Sequence, residues 1–403
     1  MTATTGDIVT VNAGSSSIKL SVYRKEATAS DVVHVLTISI VGIGQPVSTL
    51  LTAASTSAAA QAEEVQVPDH AVASRIVMKK LSQVVSSDSI VAIGHRLVHG
   101  GARHAGPALV TDISEREWEL LSQLDPQHTP AARQLVMQFV QQYPSISQVA
   151  CFDTAFFHDL PRVAKTLPIP QKYYERGVRR YGFHGLSYTS LLSTFRETAG
   201  QTAADGRVIL AHLGSGASLT VTQSGKPIDT TMGFTPASGV VMSTRSGDLD
   251  PGLFGFLQRH DGVSADAFDQ MVNFESGLLG VSGVTGDMQA LLKMEKDHQD
   301  AALAIELFVR DVRKTIGALA ALLGGVDSLI FSGGIGEQSS ELRSRICRGL
   351  DYMGIVIDST ANEQHAFLIS AEHSAVGVHV IATDEAQVIA TQTIELLNAS
   401  NEG

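Results

Sequence analysis

The chain has 403 residues, of which 44% are hydrophobic and 17% charged, with a formal net charge of -12 at pH 7. This length exceeds the size at which one hydrophobic core stops growing, so we expect two domains. The acidic balance argues against a nucleic-acid partner, because binding to a phosphate backbone relies on clustered Lys and Arg. No run approaches eighteen apolar residues and residues 1–7 lack a signal-peptide pattern, so we predict no membrane segment and a cytoplasmic location.

The first predicted unit is a hairpin, with strands over residues 8–11 and 18–23 around a Gly/Ser turn. Its second strand alternates apolar and polar residues, which predicts one buried face and Lys19 on the other. If the turn holds a phosphate, the side chains placed to reach it are those of Asn12, Ser15, Ser17 and Lys19. Otherwise Lys19 is a solvated strand residue.

Residues 27–69 indicate peripheral strands and a loop, and a helix is predicted over 70–85. A short apolar strand over 90–94 then leads into His95-Arg-Leu-Val-His99. Ligands of α/β sheets gather at such strand ends, so Arg96 is a candidate anion clamp. His95 and His99 have no third ligand nearby, and we interpret them as structural. The two cysteines, Cys151 and Cys347, form no Cys-x-x-Cys pair, so we expect neither a disulfide framework nor a zinc site.

Helices are predicted over 115–124 and 131–142, separated by a Pro-bounded loop at 125–130. The next strand, 149–153, ends in Asp153. A carboxylate there is typical either of a magnesium ligand or of a capping residue, and the sequence leaves both open. His184 follows between Gly182 and Gly185 just before a predicted helix, where its ring could approach a ligand closely.

A second Gly/Ser hairpin lies half a chain after the first. Strands over 208–211 and 219–221 flank His212-Leu-Gly-Ser-Gly-Ala-Ser218, whose backbone N–H groups and hydroxyls suit a phosphate chain. An ordinary hairpin turn would have the same sequence pattern. Because the first hairpin repeats the pattern, the sequence predicts a duplicated domain with a cleft between the halves.

Residues 229–251 are rich in Gly and Pro and are mostly uncharged up to Arg245. Burying this arginine would be costly unless it met an anion. We expect Arg96 and Arg245 to come from opposite halves and to converge on a carboxylate and a transferring phosphoryl group.

The last third predicts a long helix over 301–323, a buried strand over 326–332 and a helix from residue 339. The glycines of Gly333-Gly-Ile-Gly336 would let the backbone lie against a flat or anionic ligand. A final strand over 378–382 ends in Thr383-Asp-Glu385, before a terminal helix over 386–397. These carboxylates could cap the helix or contact magnesium.

Together these residues resemble the acetate and propionate kinase family, within the actin, hexokinase and sugar-kinase superfamily. The matching segments, in family order over nearly the whole chain, are Asn12-Ala-Gly-Ser-Ser-Ser17 with Lys19, Gly94-His-Arg-Leu-Val-His-Gly-Gly101, Phe152-Asp-Thr-Ala-Phe156, Tyr181-Gly-Phe-His-Gly185, His212-Leu-Gly-Ser-Gly-Ala-Ser218, Asp229-Thr-Thr-Met-Gly-Phe-Thr-Pro236, Thr244-Arg-Ser-Gly-Asp-Leu-Asp-Pro251, Gly333-Gly-Ile-Gly-Glu337 and Thr383-Asp-Glu385.

The resemblance implies an α/β protein of two duplicated ribonuclease-H-like domains with a central cleft, the actin-like ATPase fold. Residues 1–154 with 386–403 would form the first domain, and 155–385 the second, which would bind nucleotide and form a homodimer. It implies reversible Mg²⁺-dependent transfer (Mn²⁺ being a possible substitute) of the ATP γ-phosphoryl group to acetate, giving acetyl phosphate and ADP.

The resemblance also implies roles for particular residues. Arg96 and Arg245 would hold acetate and the phosphoryl group, and His184 would stabilise the transition state. Asp153 and Glu385 would serve magnesium and the alignment of the carboxylate, with Asn12 contacting phosphate and metal. The methyl pocket would be lined by Val98, Phe183 and Pro236. The nucleotide and its phosphates would meet Asn12, Ser15, Ser17, Lys19, His212, Gly214, Ser215, Gly216, Asp287, Gly334, Ile335 and Gly336.

Three positions depart from the family pattern. Ser215 replaces a usual Asn, Gln289 replaces an Arg near the adenine, and Ala237-Ser238 replace a Leu-Glu-like pair. Loss of one hydrogen bond costs roughly 0.5–1.5 kcal/mol, which would weaken nucleotide binding severalfold without abolishing it.

Other functions stay open at this point. Propionate or butyrate could be the substrate, because one methylene is worth only about 1–3 kcal/mol of discrimination. An ATP-driven conformational protein of this fold would not need the arginine pair. A sugar-binding regulator would need a DNA-binding segment, which the sequence does not show. A pyrophosphate donor would more plausibly need a filled nucleotide pocket, whereas Gly334-Ile335 indicate an open one.

Overall fold

The computed structural model describes residues 5–14, 16–26, 32–55 and 60–402. Ser15, one of the predicted phosphate contacts, lies outside the described residues. The chain divides into two compact units. The first unit comprises Met1–His158 together with Asp384–Gly403, and the second unit comprises Asp159–Thr383.

The first unit contains a mixed sheet with helices on both faces. Its strands are β1 (Gly6–Ala13), β2 (Ser17–Lys25), β3 (Val32–Val41), β4 (Ser48–Ala54), β5 (Gln61–Val65), β6 (Ile90–Leu97), β7 (Ala108–Leu109) and β8 (Ser147–Phe152). Its helices are α1 (His70–Val84), α2 (Glu115–Leu124), α3 (Thr129–Gln142) and, after the second unit, the terminal helix (Glu385–Glu402). Short 3₁₀ turns occupy Ser87–Ser89, Val110–Asp112 and Asp153–Phe157.

The sheet of the first unit is centred on β1. The strand order is β5-β4-β3-β2-β1-β6-β8-β7. β1 pairs antiparallel with β2 and parallel with β6, and β6 pairs parallel with β8. The predicted hairpin is therefore present, and residues 32–65 supply the peripheral strands that were expected.

Both faces of β1 and β2 are buried, so the expectation of one solvent-facing side on β2 was wrong. Ser21 and Tyr23 are only 1% and 3% exposed, whereas Lys19 is exposed as predicted. The reason is the terminal helix, which packs Ala386 and Ile394 against the face that carries Tyr23. On the opposite face, α1 and α3 pack against the other apolar residues of the hairpin.

The second unit contains a smaller sheet. Its strands are β9 (Val208–Leu213), β10 (Ala217–Gln223), β11 (Lys226–Thr230), β12 (Ser328–Ser332) and β13 (Gly377–Val380). Its helices are α4 (Arg162–Lys165), α5 (Gln171–Glu175), α6 (Gly185–Ala199), α7 (Gln201–Ala204), α8 (Gly252–Asp261), α9 (Ala265–Phe274), α10 (Gly277–Ser282), α11 (Met288–Met294), α12 (Gln299–Leu323), α13 (Gly333–Gln338), α14 (Ser340–Cys347) and α15 (Ser359–Glu363), with a 3₁₀ turn at Asp351–Met353.

The two sheets repeat one topology. In the second sheet the order is β11-β10-β9-β12-β13, with β9 antiparallel to β10 and parallel to β12. The strands β3-β2-β1-β6-β8 of the first unit follow the same order and directions. This repetition confirms the predicted α/β fold class with duplicated sheets. Among the described residues, no helix has the length and apolar character needed to cross a membrane.

Several predicted boundaries were wrong, and three of them bear on the site. β6 continues to Leu97, because its backbone stays paired with β8 through the polar residues. The helix α3 begins at Thr129, since Pro130 occupies the first turn, where its missing N–H has no intrahelical partner to lose. The glycine segment at 333–336 is not an open loop but part of α13.

Candidate active site

Arg96 is the centre of a charged cluster in the first unit, formed with Asn12, Asp153 and Glu385. Its Nε and Nη2 donate to Asp153 Oδ2 at 3.1 and 2.8 Å. Its Nη1 donates to Asn12 Oδ1 at 3.1 Å. The side chain of Arg96 is 17% exposed and that of Asp153 only 1%, so this ion pair is largely withdrawn from water. Arg96 is therefore held in one orientation by contacts along most of its guanidinium edge.

Glu385, the first residue of the terminal helix, completes the charged cluster. Its Oε2 accepts a hydrogen bond from Asn12 Nδ2 at 2.9 Å and lies 3.9 Å from Arg96 Nε. The Asn12 amide thus donates to Glu385 and accepts from Arg96. This arrangement links the end of β1, the end of β6 and the start of the terminal helix.

The charge of the cluster suits a cation. Burial lowers the pKa of Arg96, but the Asp153 and Glu385 carboxylates outweigh it, so the pKa lies above its ordinary value. Arg96 therefore stays charged. One guanidinium faces two carboxylates, and this leaves a formal negative excess that favours a divalent cation.

The donor types of the charged cluster fit Mg²⁺. Carboxylate and amide oxygens are hard ligands, and Mg²⁺ is usually held by one or two carboxylates together with water and substrate phosphates. Within the described ranges, no group of three or more His, Cys, Asp or Glu side chains forms a cage for a metal. Asp153, Glu385 and Asn12 thus fit a site that would be completed by a nucleotide.

Asp384 fixes the start of the terminal helix beside Glu385. Tyr23 OH donates to its two carboxylate oxygens at 3.1 and 3.3 Å, and Gln387 N donates to Asp384 Oδ1 at 2.9 Å. Burial, with the charge of Asp384, raises the pKa of Tyr23 above its ordinary range, so the phenol stays a donor. Asp384 is therefore the capping residue, whereas Glu385 points its carboxylate at Asn12.

The second unit places His184 and Arg245 beside Gly216. A methyl group at Gly216 would lie 3.2 Å from His184 Nε2 and 3.5 Å from Arg245 Nη1. Arg245 Nη1 donates to the carbonyl of Pro236 at 3.2 Å. Glycine at this position thus leaves space in front of an imidazole nitrogen and a guanidinium.

His184 is held in an unusual backbone conformation. Its φ is 60°, in the left-handed region, at the residue that precedes α6. Such strain in a residue other than glycine costs about 1–3 kcal/mol and persists only where the surroundings impose it. The Nδ1 atom lies 2.8 Å from Ser218 Oγ, and the ring stacks obliquely on His212 at 4.4 Å between centroids.

The remaining predicted side chains divide between the units. Val98 is half-buried in the first unit, whereas Phe183 is 2% exposed and Pro236 half-buried in the second. His212 Nδ1 lies 2.8 Å from Ser187 Oγ, which fixes its ring. Ser17 is half-buried, Ser215 exposed.

The glycine segment of α13 is supported by two side chains. Glu337 Oε1 accepts the N–H of Gly333 at 2.9 Å. The fully buried Arg343 donates to the carbonyls of Gly336 and Glu337 at 2.7 and 2.8 Å. Gly334 is exposed with open space around it, and Ile335 is half-buried. The backbone of the glycine segment is therefore held by Glu337 and Arg343, and it stays accessible at Gly334.

Two predicted residues have local partners. Asp287 is exposed and caps α11, accepting from Ala290 N at 2.7 Å. His95 lies in the core with Nε2 2.7 Å from Gln148 Oε1, in agreement with its structural interpretation. Sequence reasoning missed Tyr23 and Tyr188, and it placed Ser218 only in a phosphate-binding turn. For Tyr188 the available signal was its spacing of one helical turn from His184.

Solved structures with this fold define the class of protein. The acetate kinase of Porphyromonas gingivalis superposes with a TM-score of 0.85 at 35% identity, covering 97% of this chain and 100% of that one. A propionate kinase from Francisella tularensis superposes with a TM-score of 0.88 at 31% identity, covering 97% and 99%. Together with the charged cluster and the glycine turns, these similarities define an enzyme that is a kinase.

The sequence comparisons then give the family. The Acetokinase family model matches residues 7–391. The acetate kinase of Bacillus subtilis strain 168 is 39% identical over 397 residues, which are 96% of this chain and 99% of that protein. The acetate kinase of Methylocella silvestris is also 39% identical, over 398 residues. The chain therefore belongs to the Acetokinase family, which confirms the resemblance seen in its motifs.

Proposed function

We propose that this chain transfers the γ-phosphoryl group of ATP to acetate, reversibly, giving acetyl phosphate and ADP. The observation that carries this proposal is its similarity to acetate kinases over almost the whole length of both chains. The charged cluster supports it, because a fixed, permanently charged guanidinium is suited to hold a carboxylate.

The reaction needs positioning more than acid–base chemistry. An acetate oxygen is already a nucleophile at neutral pH; its electron pair forms the new bond to the γ-phosphorus while the bond to the bridging oxygen breaks and ADP leaves with that electron pair. No proton has to move. We assign Arg96 to the acetate carboxylate, and Arg245 with His184 to the charge on the transferring group.

Asp153, Glu385 and Asn12 are the residues we assign to Mg²⁺, with Mn²⁺ as a possible substitute. A metal bound there would neutralise negative charge on the nucleotide phosphates. Glu385 and Asp153 also hold Arg96, so these carboxylates would orient the acetate clamp as well. This double use explains why both lie within hydrogen-bonding or ion-pairing distance of the same guanidinium.

The nucleotide is assigned to the two hairpin turns and the glycine segment. Backbone N–H groups and hydroxyls at such turns suit phosphate oxygens, and an exposed glycine admits a flat base. The assigned residues are Asn12, Ser15, Ser17, Lys19, His212, Gly214, Ser215, Gly216, Asp287, Gly334, Ile335 and Gly336. We further propose a cytoplasmic homodimer formed through the second unit, which light scattering on the purified protein would test.

Propionate is a second candidate substrate, because the superposition on a propionate kinase is at least as good as that on an acetate kinase. The assigned methyl pocket, Val98, Phe183 and Pro236, would decide between them. One methylene is worth about 1–3 kcal/mol, so a preference of roughly 10- to 200-fold is the most that we expect.

Hydroxylamine trapping tests the function directly. The protein is incubated with Mg²⁺, ATP and hydroxylamine in the presence of acetate, propionate, butyrate or no acid, and the hydroxamate is measured. We expect the strongest signal with acetate. A stronger signal with propionate would give the second candidate, and ATP hydrolysis indifferent to any carboxylate would refute a carboxylate kinase.

A further inference from the structure

His184, Ser218 and Tyr188 form a line of three hydrogen-bonded side chains. Ser218 Oγ lies 2.8 Å from His184 Nδ1 and 2.5 Å from the hydroxyl of Tyr188. Tyr188 and Ser218 are both 0% exposed. The line therefore starts in the core of the second unit and ends at the imidazole.

Neither contact fixes its own direction, because either hydroxyl can donate and the imidazole has two tautomers. A backbone hydrogen bond from His212 to the phenol oxygen of Tyr188 favours one direction. In that direction the phenol proton goes to Ser218 Oγ, and the Ser218 proton to His184 Nδ1. Burial raises the pKa of Tyr188, which keeps the phenol protonated.

A histidine that accepts at Nδ1 carries its proton on Nε2. Nε2 is the atom that faces the space left by Gly216, on the side where Arg245 Nη1 also lies. The left-handed backbone of His184 is a strained conformation that persists only where the neighbouring structure imposes it.

We propose that Tyr188 and Ser218 are positioning residues, which present the Nε2–H of His184 to the oxygens of the transferring phosphoryl group. This inference rests on the role proposed above for His184. It adds that the donor state of the imidazole is set by two buried hydroxyls, one from α6 and one from β10.

A double-mutant cycle tests the proposal. Tyr188→Phe and Ser218→Ala are measured alone and in combination with His184→Ala. Losing one hydrogen bond of the line is expected to lower kcat by about 5- to 10-fold, with the KM values for ATP and acetate changed less than about twofold. In the His184→Ala background the same substitutions should change kcat by less than about twofold, because the group they act through is gone.

Matched controls separate positioning from structural damage. Thr220→Val removes another fully buried hydroxyl from β10, one that donates to the carbonyl of Asp229 at 2.8 Å. Tyr143→Phe removes a buried phenol hydroxyl from the first unit. Both should retain kcat. If Tyr188→Phe does not fold, the cycle is carried by Ser218→Ala alone.

The outcomes distinguish the two levels of proposal. Equal losses in the presence and absence of His184 would overturn the positioning role. An unchanged kcat in His184→Ala would instead refute the role of His184 in the proposed function. Nitrogen-15 NMR of labelled histidine gives a readout that structural damage alone does not move: His184 should show a protonated Nε2 in the wild type, and the opposite tautomer would overturn the inference.

Discussion

The two hairpins occupy the same register in the two sheets but carry different chemistry. In the first, Asn12 pairs with Lys19, one position before the turn. In the second, His212 pairs with Ser218 at the corresponding position. Asn12 of the first hairpin thus belongs to the charged cluster. His212 and Ser218 of the second hairpin belong to a set of contacting hydroxyls and imidazoles.

The next strand of each sheet shows the same contrast. β6 ends near Arg96, which ion-pairs with Asp153, whereas β12 ends at Ser332 and continues directly into the glycine segment of α13. One topology therefore supports a charged cluster in one unit and an exposed glycine backbone in the other. The side chains at a few matched positions, and not the fold, decide which task each sheet edge performs.

The largest effect is expected for Arg245→Ala, which removes the guanidinium that lies beside Gly216 in the second unit. By analogy with arginines that stabilise phosphoryl transfer, turnover should fall by about 10³-fold or more. Steady-state assay of acyl phosphate formation checks this. Arg207→Ala, which removes an arginine paired with Asp327 on the surface of the same unit, is the control. Near-normal turnover in a folded Arg245→Ala protein would contradict the assignment.

Both units bury a histidine whose neutral form is favoured, His95 in the first and His379 in the second. Burial lowers the pKa of each to about 4. The unfolded state, with a pKa near 6.5, then binds more protons, so this stability is complete above about pH 6.5 and is lost as the pH falls toward 4. Each histidine should shift the folding equilibrium by up to about 300-fold.

Urea unfolding at several pH values in this window measures the effect. His95→Gln should flatten the pH dependence by about one proton, as linkage requires. An unaltered slope in a folded His95→Gln protein would show that His95 does not titrate as inferred.

Glu385→Gln removes one carboxylate from the charged cluster but keeps its shape. The concentration of Mg²⁺ for half-maximal activity should rise by about 10- to 100-fold, since the negative excess of the cluster disappears. Titration of activity with Mg²⁺ checks this, with Glu395→Gln, an exposed residue of the same helix, as the control. The same Mg²⁺ requirement in both variants would remove Glu385 from the metal site.

Tyr23→Phe tests the support of Glu385 from the core of the first unit. Loss of the hydrogen bonds to Asp384 should raise the Mg²⁺ requirement by about 2- to 10-fold, because the start of the terminal helix is less firmly held. Thermal unfolding should change little. An equal response of Tyr143→Phe would mean that any buried phenol has this effect.

The smallest effect is expected for Ser215→Asn, which restores the usual residue of the family at the second hairpin. Ser215 is exposed, so an amide can be accommodated, and one added hydrogen bond should lower the KM for ATP by about 2- to 10-fold. Kinetics with ATP and other nucleotides check this. The surface control is Ser193→Asn. An unchanged KM for ATP in Ser215→Asn would show that Ser215 does not weaken nucleotide binding.

Local patterns predicted the elements that depend on local periodicity. The helix predicted over 115–124 coincides with α2, and both hairpins lie where turn chemistry indicated. Periodicity failed where distant segments decide. β6 extends beyond its apolar residues because β8 pairs with it. Tyr23 is buried because the terminal helix, more than 350 residues later, covers it.

The residues of the charged cluster were predictable by type, but their contacts were not. Arg96, Asp153 and Glu385 were identified because charged residues follow predicted strands, and the structure joins them in one cluster. Tyr188 escaped notice because it looks like an ordinary core residue, and Ser218 was interpreted only as part of a phosphate-binding turn. Their significance lies in the contact with His184 across two elements, which no single stretch of sequence displays.

The return of the terminal helix to the first unit makes the two units differ in what they need to fold. The second unit is continuous in the chain, so its sheet needs no residue beyond 383. The first unit leaves the apolar face around Ile8 and Tyr23 uncovered unless Ala386, Ala390 and Ile394 pack against it. Glu385 belongs to the same helix. The segment that covers the first hairpin therefore also supplies the last member of the charged cluster.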